Sequence, residues 1–183
     1  IIPINTDKPY GIAVNSQKIF VIDSPVRTIK SFDHNGNLID KFSVAWTRDL
    51  LADENFLYVI ESAISSIQVY DDKGNLIDKF SGIKNLHFIN TNEKYFVVSG
   101  THICCEPHEL LIINKETKII EQRFETTPGT TTGSAINENS IFLLDNNILK
   151  IFDFNGNLLF EHIIEVKNDS YLTKIEINEN IIY

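Results

Sequence analysis

The stretch Ser99–Glu109 holds His102, Cys104, Cys105 and His108, the residue types that bind zinc or act as nucleophiles. Imidazole nitrogen and thiolate sulfur are soft donors, so the stretch reads as a metal site, as a reactive thiol or as a decorated surface loop. The spacing follows no finger or ribbon pattern, and adjacent cysteines chelate one ion poorly. The surface loop is therefore the reading adopted, with no catalytic residue and no metal ligand assigned and no cofactor expected; calcium and zinc are the ions to consider if one binds. Cys104 and Cys105 are either free thiols or a strained vicinal disulfide, which leaves the compartment open.

A second group of chemistry-bearing residues recurs. Asp23, Glu61 and Asp145 each close an apolar run, Ile19–Ile22, Leu57–Ile60 and Ile141–Leu144. They could converge as calcium ligands, or each could accept hydrogen bonds from the loop that follows. A ligand site breaks a repeat whereas a structural device is copied with it, and these acids are copied. Other signatures are missing: there is no Gly-x-Ser-x-Gly elbow, no zinc-protease helix pattern and no recognisable Ser, His and Asp set. The Thr-rich run Thr126–Gly133 lacks the lysine of a phosphate loop and reads as a connector.

The elements that carry these residues are written by a hexapeptide. Asp33-His34-Asn35-Gly36-Asn37-Leu38 returns as Asp71–Leu76 and Asp153–Leu158, with a degenerate copy at Asn114–Ile119. The copies begin at residues 33, 71, 114 and 153, offsets of 38, 43 and 39. Each lies between two apolar, aromatic-rich runs. Glycine supplies the positive φ of a tight turn or of a type I turn with a glycine bulge, and the leading Asp can bond back to the turn amides. The chain is thus an array of hairpins with a period of four strands. The second strand of each unit is apolar at every position, which requires sheets stacked on both of its faces. Four-stranded antiparallel sheets stacked in this way are the blades of a β-propeller, and almost no helix is expected.

Length and charge set further bounds. The chain has 183 residues and a net charge of -9. Such a balance, without a local Lys/Arg cluster, argues against nucleic acid as a partner. No apolar run is long enough for a transmembrane helix. The sequence contains no Met, even at position 1, so an incomplete translation product is expected.

Lys8-Pro9-Tyr10-Gly11-Ile12-Ala13-Val14, followed by Ile19-Phe20-Val21-Ile22-Asp23, by Thr28-Ile29-Lys30-Ser31-Phe32-Asp33 and by Asn35-Gly36, resembles an NHL repeat. That family writes Pro-x-Gly-Ile-Ala-Val, then Ile-Tyr-Val-x-Asp, then Arg-Ile-x-x-Phe-Asp and Gly. The second and fourth units match from their second strand onward, and the third is eroded. The resemblance implies an all-β chain, a single β-propeller domain over 1–183 with blades at 9–43, 46–81, 84–125 and 131–165 and a partial one at 171–183. About four and a half blades of a six-bladed ring are then present, and an arc of that kind is expected to oligomerise through an exposed blade face. Ile1–Ile4 is read as a strand stub of the closing blade.

The resemblance also implies a function class: a non-catalytic interaction module that binds a protein, peptide or glycan through the loops of one face. One alternative is a metal-dependent lactonase-like hydrolase or lyase; another is a structural or assembly subunit. Loops from the second to the third strand, and from the fourth to the next blade, share the face opposite the hexapeptides. Arg27, Trp46, Arg48, His102, Cys104, Cys105, His108 and Thr130 are the candidate binding residues on that face. Trp46 either anchors a partner or plugs the gap between the first two blades.

Overall fold

The computed structural model describes residues 4–24, 27–81, 86–101, 108–125, 131–145, 147–165, 175, 177–178 and 181–182. Four four-stranded antiparallel sheets follow one another, each with its strands in chain order. Blade one is β1 Pro9–Val14, β2 Ile19–Asp23, β3 Thr28–Phe32 and β4 Leu38–Ser43. Blade two is β5 Thr47–Ala52, β6 Leu57–Glu61, β7 Ser66–Tyr70 and β8 Leu76–Ser81. Blade three is β9 Leu86–Thr91, β10 Tyr95–Thr101, β11 His108–Asn114 and β12 Ile120–Glu125. Blade four is β13 Thr131–Ile136, β14 Ile141–Asp145, β15 Ile148–Phe152 and β16 Leu158–Ile163. A two-stranded sheet, β17 Ile177–Asn178 and β18 Ile181–Ile182, lies where the partial fifth blade is expected, and residues 172–174, 176 and 183 of the strands expected there lie outside the described residues. Among the described residues, helix is confined to short 3-10 segments such as Ser62–Ile64.

The chain divides into two compact units, Ile1–His87 and Phe88–Tyr183. In the first, Ala13, Phe20, Ile22 and Ile29 of blade one pack with Leu50, Leu57, Val59 and Tyr70 of blade two. In the second, Val97, Leu110 and Ile112 of blade three pack with Ile141, Leu143 and Phe152 of blade four. Every residue of β2, β6 and β14 is buried, as a strand with a sheet on either side requires. Each such apolar side chain stabilises the fold by about 1.5–3 kcal/mol. Ile4 lies outside any strand and rests on Ile19, Val21 and Phe32, while residues 1–3 fall outside the described residues.

The hexapeptides are type I turns closed by a glycine bulge. The Gly36 amide donates to the Asp33 carbonyl at 3.0 Å, and Gly36 has φ 89°. Asp33 Oδ1 accepts from the amides of Asn35 and Asn37, and Oδ2 from the Asn37 side chain at 2.8 Å. Asp71 and Asp153 repeat these bonds. In the degenerate copy Asn114 takes the Asp role, bonding the amides of Glu116 and Thr117, and Lys118 adopts the positive φ, 61°, without glycine's freedom.

These turns also hold the blades together. The Phe42 ring of β4 lies 5.1 Å from the Tyr70 ring that precedes the second hexapeptide, and Phe124 lies 5.6 Å from Phe152 before the third. Along one face of the first unit, His34 Nε2 meets the Ser16 carbonyl, Asn15 Nδ2 donates to Asp53 O, and Lys18 Nζ donates to Asp72 O. The turns at 33–37 and 71–75 therefore share a face, as strand parity requires. In the second unit the turns near Asn92, Asn137 and Lys115 are linked in the same manner.

Candidate functional site

The opposite face of the first unit is built on the recurring acids. Asp23 is fully buried and accepts from the backbone amides of Asp7 and Lys8, both at 3.2 Å, and from Lys30 Nζ at 2.7 Å. Glu61 is also buried; Oε1 accepts from the Ala45 amide and Oε2 from the Gln68 side chain, both at 2.8 Å. Gln68 Oε1 in turn receives the Tyr70 hydroxyl. In the second unit, Asp145 pairs with Lys150 at 3.3 Å, both of them buried.

The acids are structural, but their donors differ from the expectation. For Asp23 and Glu61 the backbone donors come from the connector that enters the blade, not from the loop that leaves the acid. The reason is antiparallel geometry: β1 begins opposite the end of β2, with Pro9 paired to Asp23, and β5 begins opposite the end of β6, with Thr47 paired to Glu61. The incoming chain must cross the acid, which satisfies its amides. Sequence reading also missed Lys30 and Gln68 as partners, although each lies seven residues after its acid in an otherwise apolar-rich strand.

Blade three tests this account. Its residue at the acid position is Gly100, and the position matching Lys30 and Gln68 is Leu111, as the strand registers show. Acid and partner are absent together, which is what a coupled buried pair demands, because either one alone leaves an uncompensated group.

Electrostatics follow these contacts. The hydrogen bond from Lys30 is the main reason the Asp23 carboxyl is held below the usual range, with the two loop amides adding to it against the opposing effect of burial. Burial, reinforced by the Glu61 charge, pushes the Tyr70 hydroxyl up to about 12.

Above this layer the connectors present side chains to solvent. The Val44 amide donates to Arg27 O at 2.9 Å, and the Arg27 guanidinium lies 4.5 Å from the centroid of the Trp46 ring. Trp46 is 61% exposed, which settles its alternative role: it does not plug a gap between the first two blades. Arg48 is exposed and occupies the bulge between Thr47 and Asp49 of β5. A bulge re-aims the side chain it carries. Arg27 has φ 49°, a conformation shared by Ser65 at the same place in blade two, so the backbone geometry belongs to the loop and only the side chain is particular to Arg27.

Three of the candidate binding residues, Arg27, Trp46 and Arg48, thus lie together on one face of the first unit. His102, Cys104, Cys105 and Thr130 lie outside the described residues, as does the His108 side chain; the His108 backbone opens β11, opposite Thr101. Among the described residues no three His, Cys, Asp or Glu side chains group as a metal site.

Two cavities lie on blade one. One of about 380 Å³ is lined by Asp7, Thr28, Lys30, Lys41, Phe42 and Ser43. The other, of about 340 Å³ and mostly apolar, runs along Pro9, Tyr10, Gly11 and Ile12. Lys30 and Val21 are paired across β2 and β3, so both cavities open on the side of blade one that is turned from blade two. In blade two the matching side, with Leu57 and Val59, is covered by blade one.

Solved structures share this architecture. Hydrazine synthase of Kuenenia stuttgartiensis superposes with a TM-score of 0.74 at 13% identity, over 89% of this chain and 51% of that one. The WD40 domain of Neurospora crassa Pan2 gives 0.67 at 12% identity, over 85% and 49%. BamB from Moraxella catarrhalis gives 0.65 at 13% identity, over 100% and 57%. The chain spans about half the length of these structures. No family model matches it, and no curated protein does. At such identities the likeness establishes the fold alone: a β-propeller of four-stranded antiparallel blades.

Proposed function

We propose that this chain is a non-catalytic interaction module that recognises a protein, peptide or glycan through the connectors opposite its hexapeptide turns. The observation that carries the reading is the exposed Trp46 with Arg27 laid over its ring and Arg48 two residues further on. Trp and Arg dominate the energetic centres of protein interfaces. The blades serve to hold these connectors, since the repeated hydrogen bonds of Asp23 and Glu61 end on connector amides.

The finer reading, an NHL-type propeller of six blades, is supported by the motif at Lys8–Asp23, whose Pro9–Val14 segment forms β1 and whose Ile19–Asp23 segment forms β2. Peptide and glycan arrays probed with the purified protein test the module reading. Binding should be lost on Trp46→Ala and Arg48→Ala and kept on Asn37→Ala and Asn75→Ala. Equal losses from both faces would overturn it.

A further inference from the structure

Resting on that reading, we infer that the partner is an acidic peptide segment that sets an apolar or aromatic side chain on Trp46 and carboxylates on Arg27 and Arg48. The inference comes from the charge of the two faces of the first unit. The chain as a whole is acidic, at -9. Its acidity in this unit gathers on the turn face, where Asp33, Asp53, Glu54, Asp71 and Asp72 stand against Lys18 and Lys73. On the other face, Lys8, Arg27 and Arg48 are exposed and Asp7 is the exposed acid beside them. Of the remaining acids there, Asp49 is half-buried in β5, and Asp23 and Glu61 are buried and occupied by their own donors. A negatively charged partner is thus repelled by one face and drawn to the other.

The side-chain geometry favours carboxylates in particular. A guanidinium stacked on an indole uses its flat face for the ring and keeps its in-plane N–H fork for bidentate bonding to a carboxylate. Among the described residues no carboxylate pairs with Arg27 or with Arg48. Ile64, 45% exposed in the 3-10 segment that touches β5, adds apolar surface to the same side. Aromatic and aliphatic contacts at the centre with cations around them match a peptide in which acidic residues flank a hydrophobic one.

The probes are a Glu/Tyr copolymer peptide, its Lys/Tyr counterpart and a heparin-derived oligosaccharide, each titrated while the emission of Trp46, the single tryptophan, is followed. The Glu/Tyr peptide should change the emission saturably, with binding about tenfold weaker in Arg27→Ala and in Arg48→Ala and weakened by added salt. Arg27→Lys should recover little, because lysine lacks the fork. No response to the Glu/Tyr peptide, or an equal response to the Lys/Tyr peptide, overturns the acidic-peptide assignment; array hits that still depend on Trp46 would then leave the module reading standing. Binding of the heparin oligosaccharide alone assigns the face to a sulfated glycan and likewise overturns the peptide. A loss as large in Lys73→Ala as in Arg27→Ala overturns the face itself.

Discussion

A Cβ placed on Gly74 would lie 2.5 Å from Cδ1 of Phe42, so the tip of the second hexapeptide turn sits directly on an aromatic ring of the preceding blade. Gly74 also has φ 79°, outside the range that side chains favour. Gly74→Ala therefore meets two penalties and should destabilise the protein by about 2–4 kcal/mol, read by urea denaturation. At Gly156 the same Cβ would lie 3.1 Å from Phe124, with φ 84°, so Gly156→Ala should cost less, chiefly the backbone term. Phe42→Leu should relieve part of the Gly74→Ala penalty. An unrelieved penalty would mean that backbone strain alone is responsible.

The hexapeptide acids give the fold an acid limit. In Asp33, Asp71 and Asp153 the carboxyl is lowered from 3.8, first by the side-chain amide of Asn37, Asn75 or Asn157 and then by backbone amides. A lowered carboxylate stabilises fully above its unfolded value and ceases to do so as pH falls through the folded one. Resistance to urea should hold at neutral pH and decline below about pH 4. Replacing all three by Asn should flatten that decline, and an unchanged slope would place the acid sensitivity elsewhere.

Asp23 and Lys30 should behave as a unit. Asp23→Gly alone strands the lysine and two connector amides, whereas Asp23→Gly with Lys30→Leu copies the arrangement of Gly100 and Leu111 in blade three. The double variant should cost less than the sum of the two single ones, with a coupling of about 0.5–3 kcal/mol in a double-mutant cycle. Strict additivity would dissolve the pair.

Arg27 holds a left-handed backbone conformation that glycine adopts freely. Arg27→Gly should raise the unfolding midpoint, by up to about 1 kcal/mol of stability, while exposing the other face of the Trp46 ring to acrylamide quenching. A stability loss would show that stacking on Trp46 outweighs the strain.

Tyr10, Ile12 and Val14 are exposed along β1 at 61%, 54% and 53%. They lie on the opposite side of the strand from Gly11 and Ala13, which face blade two. Such a stripe invites association. Sedimentation should show concentration-dependent self-association that falls in Ile12→Ser with Val14→Ser; identical profiles would remove this face from consideration.

What could be read from sequence was local in origin. The Asp, Gly and Asn of each hexapeptide bond within five residues, so the turn, its bulge and the hairpin were legible before any packing was known. The unbroken apolar runs of β2, β6 and β14 likewise declared strands buried on both sides. The donors to Asp23 and Glu61 were not legible, because they are backbone amides brought there by the pairing of β1 with β2 and β5 with β6, and amides carry no sequence signal. Trp46 could be assigned to a connector but not to solvent, since its exposure depends on how two sheets pack beneath it. The stacking of Arg27 on that ring and the contact of Gly74 with Phe42 join residues from separate elements. Only the packed blades determine those distances, because chain spacing limits reach without choosing a neighbour.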